Sequence, residues 1–473
     1  MAFISFLNLV FSNNSFALYT PTLSASVDQA NLQVNGNRVI NSTDKTTEIP
    51  FNFTVNTNNR TGYTATLSTE TENTALTNVG SASSTKIDSI SNILSLNNLP
   101  NNTWGYKFGS STKYAPIPAL STPAQILQTA EKTNGNESNQ LSIGMKLADN
   151  LESGNYQNKL ILSFVSNPYT MHALMTTGID FNTKIKTFET GENRIEYISR
   201  STTAPSSGVN TVSLEDGVNS DYEIKAWYDA ATKTVYYYTE AEKIFLNDDS
   251  NAMFHSLVNL KSLDVASFDT SKVRGMGNMF FGDEKLTTLD LSNFDTQNLT
   301  NMDKMFYGMS NLTSLNIGSF DTSKVTNMDS LFYGMVNIEN INVSNFDTRS
   351  VTNMNHMFSS MHKLKQLQLP ATFNTSGVTD MGYMFYNSKS LTSLDVSMFN
   401  TEKVTNMREM FGYLESVTNL KFGSGFNTKN VTDMSMMFYS NSRLKTIYGP
   451  EEFDRTNLSI STNTFGNCSH LVG

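Results

Sequence analysis

The sequence predicts a mixed fold: an N-terminal all-β sandwich followed by a solenoid with one short strand and one short helix per repeat. Three observations predict it. A phenylalanine recurs at Phe268, Phe294, Phe320, Phe346, Phe373, Phe399, Phe426 and Phe453, spaced by 26 residues four times out of seven and by 27 otherwise. A second keeps the same beat through Phe254, Phe280, Phe306, Phe332, Phe358, Phe385, Phe411, Phe438 and Phe465. Such periods mark arrays whose units bury their apolar faces only against copies of themselves. Within each unit the apolar spacing switches once from a strand period to a helix period. Upstream of the repeats the apolar residues alternate and are punctuated by polar turns, which is an all-β pattern.

One unit can be followed from Leu312 to Gly334. In Leu312-x-x-Leu315-x-Ile317-x-x-Phe320 the pair Leu315 and Ile317 shares one face of a short strand. Val325-x-x-Met328-x-x-Leu331-Phe332 then has helical spacing, with one buried stripe. Thr326 stands where an N-cap belongs, Asp329 follows three residues on, and Gly334 can end the turn. The threonine recurs at Thr300, Thr352, Thr379, Thr405 and Thr432, whereas the acid does not, which favours a simple cap over a capping box. The unit is expected to run strand, turn, short helix, turn.

The combined pattern, L-x-x-L-x-L-x-x-F followed by D-T-S-x-V-T-N-M-x-x-M-F-Y, resembles the BspA-type leucine-rich repeat of bacterial surface proteins, a 26-residue repeat of the Mycoplasma lipoprotein-type repeat family. The resemblance covers about residues 247–473. It implies a leucine-rich-repeat solenoid displayed at the cell surface, without enzymatic activity, and used for adhesion or host contact. One position departs from the family: where Cys often follows F-Y-G, this chain has Met309, Met335 and Met361, and its lone cysteine is Cys468.

Residues 1–17 read as a signal peptide, with Phe3-Ile-Ser-Phe-Leu-Asn-Leu-Val-Phe11 as the apolar core and Ser15-Phe16-Ala17 as the cleavage site. No Lys or Arg precedes Arg38, so the basic leader is expected further upstream, and Leu471-Val-Gly473 falls where another strand should begin, so truncation is expected at both ends. Residues 18–167 are assigned to the β-sandwich. Phe51, Phe53 and Val55 and then Tyr63, Ala65 and Leu67 alternate around Asn58-Asn59-Arg60-Thr61-Gly62, which reads as a hairpin. Leu141 to Leu147 and Lys159 to Phe164 read as a similar pair, and Pro123 to Lys132 as a short helix. Residues 168–250 form a connector and N-terminal cap, with a hairpin from Ile224 to Tyr238 to cover the first open edge. Residues 251–473 hold about nine units of 26–27 residues.

The net charge of −10, with 16% charged residues, argues against nucleic acid, whose phosphates need clustered Lys and Arg. A single Cys excludes an intramolecular disulfide framework. No stretch of 18 apolar residues is present to span a membrane. The five histidines are scattered, and no phosphate loop or nucleophile elbow occurs, so neither a metal site nor an enzyme is expected. Of the 23 methionines, those at Met302/Met305, Met354/Met357 and Met407/Met410 lie on the buried stripe and read as core filler. The laddered Asp269, Asp295, Asp321 and Asp347 could attract calcium, but their equivalents in the next three units are Asn374, Asn400 and Asn427. Asn keeps the turn-closing acceptor and loses the charge, so a structural turn is the expected role and no cofactor is assigned.

Residues between the strand anchors should face solvent and form the candidate partner-binding face: Thr288 and Asp290, Ser314 and Asn316, Asn340 and Asn342, Gln366 and Gln368, Ser393 and Asp395. Asn419 and Lys421 continue it. The tyrosines after the second phenylalanine, such as Tyr307 and Tyr333, suit an outer rim. The function expected is non-catalytic: a secreted or cell-surface bacterial protein that binds a protein or glycan of a host or neighbouring cell. Two other classes remain open. One is a structural spacer with no ligand; the other is a glycan-binding or glycan-acting sandwich with its site near Trp104 or Tyr106.

Overall fold

The computed structural model describes residues 5–6, 17–79, 85–449 and 454–471. The predicted signal segment therefore lies almost wholly outside the described residues, as does Phe453. The chain divides into two compact units, one built on residues 20–170 and the other on residues 171–473.

In the first unit a seven-stranded sheet and a four-stranded sheet share one core. Phe53 from the larger sheet meets Phe164 from the smaller at 5.3 Å between ring centroids. The alternating residues identified from the sequence are the buried ones: Phe53, Val55, Tyr63, Ala65, Leu67, Leu141 and Phe164. Their pairing differs from the expected hairpins. Thr46–Thr57 lies in the seven-stranded sheet and Tyr63–Thr69 in the four-stranded one, so the turn at Asn58 to Gly62 carries the chain from one sheet to the other. Glu137–Lys146 and Leu160–Ser166 are separated in the same way. Alternation dictates which face is buried and leaves the partner strand undetermined. The segment read as a short helix contains the strand Ala124–Gln128, paired antiparallel with Tyr63–Thr69.

The second unit corrects the predicted fold class. Among the described residues the α-helices are α1, Gly36–Ile40, and α2, Gly178–Lys186, and neither lies in the repeats. Each repeat is a coil of successive turns. From Asp249 through Gly275, Asn301, Asn327, Asn353, Asp380, Asn406 and Asp433 to Ile460, equivalent residues form parallel bridges, so each coil lies on the next.

The segment expected to be helical shows why it is not. A helix needs each N–H to reach the carbonyl four residues back. Here alternate N–H groups reach the next coil instead: Lys304 to Asp329 at 2.8 Å, Phe306 to Leu331 at 3.1 Å and Gly308 to Tyr333 at 2.7 Å. Three-residue turns fill in between, as from Met305 back to Met302. A left-handed residue closes each pair of turns, at Lys304 (φ +52°) and Gly308 (φ +72°), at Ser330 and Gly334, and at His356 and Ser360. A run of helix cannot accommodate such residues. Successive short turns return Met302, Met305 and Phe306 to the core just as a helix would, and all are fully buried. Thr326 consequently caps nothing; its N–H and hydroxyl both go to the carbonyl of Thr300 in the preceding coil, at 2.9 and 3.2 Å.

The core of the coils is one continuous cluster. Its axis is the phenylalanine stack Phe254, Phe280, Phe306, Phe332, Phe358, Phe385, Phe411, Phe438 and Phe465, with neighbouring centroids between 5.1 and 5.9 Å. Burial of each of these side chains except Phe465, which stays exposed at the end of the stack, contributes roughly 1.5–3 kcal/mol. At the N-terminal end α2 covers the first coil. Phe181 stands edge-on to Phe254 at 5.4 Å, and the carbonyl of His255 accepts from Asn182 and from the Lys186 ammonium.

Candidate binding face

The strand half of each coil positions the candidate face. Leu289, Leu315 and Leu394 turn inward as the central anchors, and the residues flanking them turn out. All ten predicted residues, Thr288, Asp290, Ser314, Asn316, Asn340, Asn342, Gln366, Gln368, Ser393 and Asp395, are exposed, as are Asn419 and Lys421. The structure brings them together in two patches. Thr288–Asp290 pairs in parallel with Ser314–Asn316, and Leu394–Val396 with Asn419–Phe422, which aligns Asp395 with Lys421. Asn340, Asn342, Gln366 and Gln368 lie between the patches on segments that are not strands. The unit after Phe346 carries one extra residue, and Pro370 within it has no N–H to give a ladder.

The outer member of four of the five pairs has a local role as well. Asp290, Asn316, Asn342 and Asp395 each accept the N–H two residues on, at 2.9, 3.3, 3.1 and 2.9 Å. The Ser397 hydroxyl and N–H hold the carboxyl of Asp395, and the Ser292 N–H and hydroxyl that of Asp290, below the usual carboxylate range. Once its oxygen is engaged, the amide nitrogen of Asn342 is left as an outward donor, whereas that of Asn316 also reaches the Asp290 carboxylate. The face therefore offers amide donors, hydroxyls and ionised carboxylates on a fixed spacing.

The laddered acids behave as turn closers. Asp269, Asp295, Asp321 and Asp347 accept the backbone N–H two residues on, and so do Asn374, Asn400 and Asn427. Among the described residues no group of three or more His, Cys, Asp and Glu side chains is arranged to hold a metal ion. Sequence reasoning missed the threonine beside each of these residues. Thr322 is fully buried, and its hydroxyl donates to the carbonyl of Asp347 at 2.9 Å and accepts that residue's N–H at 2.8 Å. Thr270, Thr296, Thr375 and Thr401 repeat the double bond to the next coil. The threonine that follows the Asp or Asn at this position, from Thr270 to Thr428, was the available signal.

The face does not stop at the first coil. Ser262 and Asp264 hold there the positions of Thr288 and Asp290. Ser262–Leu263 pairs in parallel with Tyr197–Arg200, which joins Thr234–Tyr238 and then Lys225–Asp229 in a five-stranded sheet. Ile198, Val235, Tyr237 and Ala226 point into the core. The opposite parity puts Tyr197, Ser199, Tyr236 and Trp227 on the outer side, an aromatic extension that the repeats themselves lack. Alternation in Lys225-Ala-Trp-Tyr-Asp and Thr234-Val-Tyr-Tyr-Tyr carried that signal.

Two other aromatic features take different places. Trp104 is buried at 3% exposure and its indole N–H donates to the carbonyl of Thr74 at 2.9 Å, so its ring is unavailable to a glycan. On the turn side of the coils, Phe281, Tyr307 and Tyr333 stack at 4.5 Å and stay half-buried; where Ser359 interrupts them, His356 stands edge-on to Tyr333 at 5.5 Å and stacks on Tyr383 at 4.4 Å.

Residues 248–371 and 367–471 match the family described as Mycoplasma protein of unknown function, DUF285. No curated protein and no solved structure matches the chain. The two matched stretches together span the stacked coils from the first bridge position to the last, which supports a Mycoplasma-type repeat family for this part. The match gives no support to the leucine-rich-repeat side of the resemblance, whose helix the coils lack. No helix among the described residues is long and apolar enough to cross a membrane.

Proposed function

We propose that the protein is a non-catalytic, secreted or surface-attached bacterial protein that holds a protein or glycan of a host or neighbouring cell along the strand side of its coils. The observation that carries this reading is the fixed outward register of the ten face residues over anchors that are buried or, at Leu315, partly buried. A stack of interlocked coils keeps such donors and acceptors at constant spacing, so a long partner can bind without first ordering the surface. The net charge of −10 directs the choice away from nucleic acid.

The test is adhesion of the purified chain to immobilised glycans, matrix proteins and bacterial cells, with and without calcium. Changing Asn316, Asn342 and Gln368 together to Ala is expected to abolish a saturable signal while the thermal unfolding midpoint falls only slightly, because all three side chains are exposed and the change removes two exposed turn bonds, those of Asn316 and Asn342. Adhesion unaffected by the triple change excludes the face as the binding element. One observation favours a second reading, that of a structural spacer: Asp290, Asn316, Asn342 and Asp395 each close their own turn, which explains their identity without any partner. A spacer binds nothing saturably in any condition of the panel.

A further inference from the structure

At its N-terminal end the candidate face closes into a groove of about 310 Å³, lined by Tyr197, Ser199, Tyr236, Ser262 and Asp264 among others. That volume is at the lower end of the roughly 300–1,000 Å³ of small-molecule sites. We infer that this groove, with Trp227 beside it, is a binding site for a neutral saccharide. The inference rests on the adhesive reading and names the ligand class for one end of its face.

Ring placement is the first argument. Trp227 and Tyr236 are cross-strand partners with centroids 5.7 Å apart and planes inclined by 30°, and Ser199 is the partner of Tyr236 on its other side. The two rings thus form a shallow platform on the outside of a sheet whose inner side is sealed by Ile198, Val235 and Tyr237. The face of an aromatic ring carries partial negative charge and attracts the C–H groups that cover one side of a pyranose. Around the platform stand the hydroxyls of Ser199, Ser262 and the tyrosines, which match the donors and acceptors on the rim of a sugar.

Charge gives the second argument. Glu196, next to Tyr197, is bridged by Lys233 at 2.8 Å and by Lys261, and those two bonds push its carboxyl down to about 2. The trio sets two ammonium groups against one carboxylate and so carries one net positive charge, held in ion pairs. Asp264, whose carboxylate accepts the N–H of Ala266, offsets that charge, so the groove and its border carry no net charge to select an anion. A peptide strand would need a free sheet edge, whereas this groove lies on the sheet's face between Tyr236 and Ser262.

The chain has two tryptophans, and Trp104 is buried in the other unit, so Trp227 reports on the groove. The full chain is titrated with neutral hexose and N-acetylhexosamine oligosaccharides, following tryptophan emission and confirming hits by calorimetry. Saturable binding is expected, weakened at least tenfold by Tyr236→Ala, and by Ser199→Trp, which fills the groove without removing a buried group. The triple change at Asn316, Asn342 and Gln368 is expected to leave saccharide affinity unchanged while adhesion to cells is lost, so failure of the groove and failure of the longer face are told apart. No saturable neutral saccharide, preference for an anionic one, or binding indifferent to both groove variants overturns the assignment.

Discussion

Asp283→Asn is expected to stabilise the protein at neutral pH and to do so less as the pH falls. Asp283 is fully buried beneath the first coil. One carboxyl oxygen accepts the N–H of Leu257 at 2.8 Å, and the other is buried with no hydrogen-bond partner. Met309, Met335, Met361 and Leu414 fill this position in other coils, and the coils with a polar residue there show what such a residue satisfies. Asn441 accepts the N–H of Leu414 and donates to the carbonyl of Phe411, Ser388 does the same with Met361 and Phe358, and Cys468 donates to Phe438. The equivalent carbonyl for Asp283 is that of Phe254, and only a protonated carboxyl or an amide can donate to it.

Burial accordingly drives the Asp283 carboxyl well above its ordinary 3.8, against a weaker opposing pull from the Lys186 ammonium. Around it, Lys186 is itself depressed by burial and by the same token raised by Glu189, and His255 is depressed by burial and by Lys186. A carboxyl raised in the folded state contributes stability that is complete below its unfolded value and is lost as the pH climbs through its folded value. The advantage of Asn over Asp should therefore be small near pH 4 and grow with pH to roughly 1–3 kcal/mol, the cost of one unsatisfied buried polar group. Denaturant unfolding of both proteins at pH 4 and pH 8 measures it. An equal difference at the two pH values rules out titration of Asp283 as the cause.

The second large effect is expected at the buried threonine ladder. Thr322→Val keeps the shape of the side chain and strands both the N–H and the carbonyl of Asp347, which Thr322 now satisfies. Each stranded buried group costs roughly 1–3 kcal/mol. Thr326→Val, on the exposed ladder four residues further along the same coil, should stay within about 0.5 kcal/mol because water can replace its hydroxyl. Thermal unfolding of the two variants side by side gives the comparison, and equal losses would remove the threonine ladder as a staple between coils.

The recurrent phenylalanines, the buried methionines and the Asp/Asn turns were legible because their chemistry is local and repeats in register. Helix was misread for a physical reason. Val325, Met328, Leu331 and Phe332 report only that their side chains return to one side, and linked turns with left-handed residues at Ser330 and Gly334 satisfy that as well as a helix does. What decides between them is where the N–H groups go, and their acceptors lie 25 residues away on the next coil, as for Phe306 and Leu331. The hairpins of the first unit failed likewise, since Phe53 and Leu67 show a buried parity and not a partner. Exposure of the ten face residues followed from parity alone. The cap's contribution was not visible because the neighbours of Ser262 are Tyr197 and, beyond it, Thr234 and Tyr236, which only the parallel pairing brings alongside.

The most direct measurement of which side of the coils meets the partner uses one reporter at a time. Cys468→Ser removes the lone thiol at a position where Ser388 already serves an earlier coil. In that background Asn316→Cys places an environment-sensitive fluorophore on the strand side and Ser310→Cys places one on the turn side. On titration with the cells or matrix that the chain adheres to, the label at residue 316 is predicted to change emission saturably and the label at residue 310 to stay constant. A saturable change at residue 310 with none at residue 316 would contradict the account and move the binding surface to the stacked tyrosines.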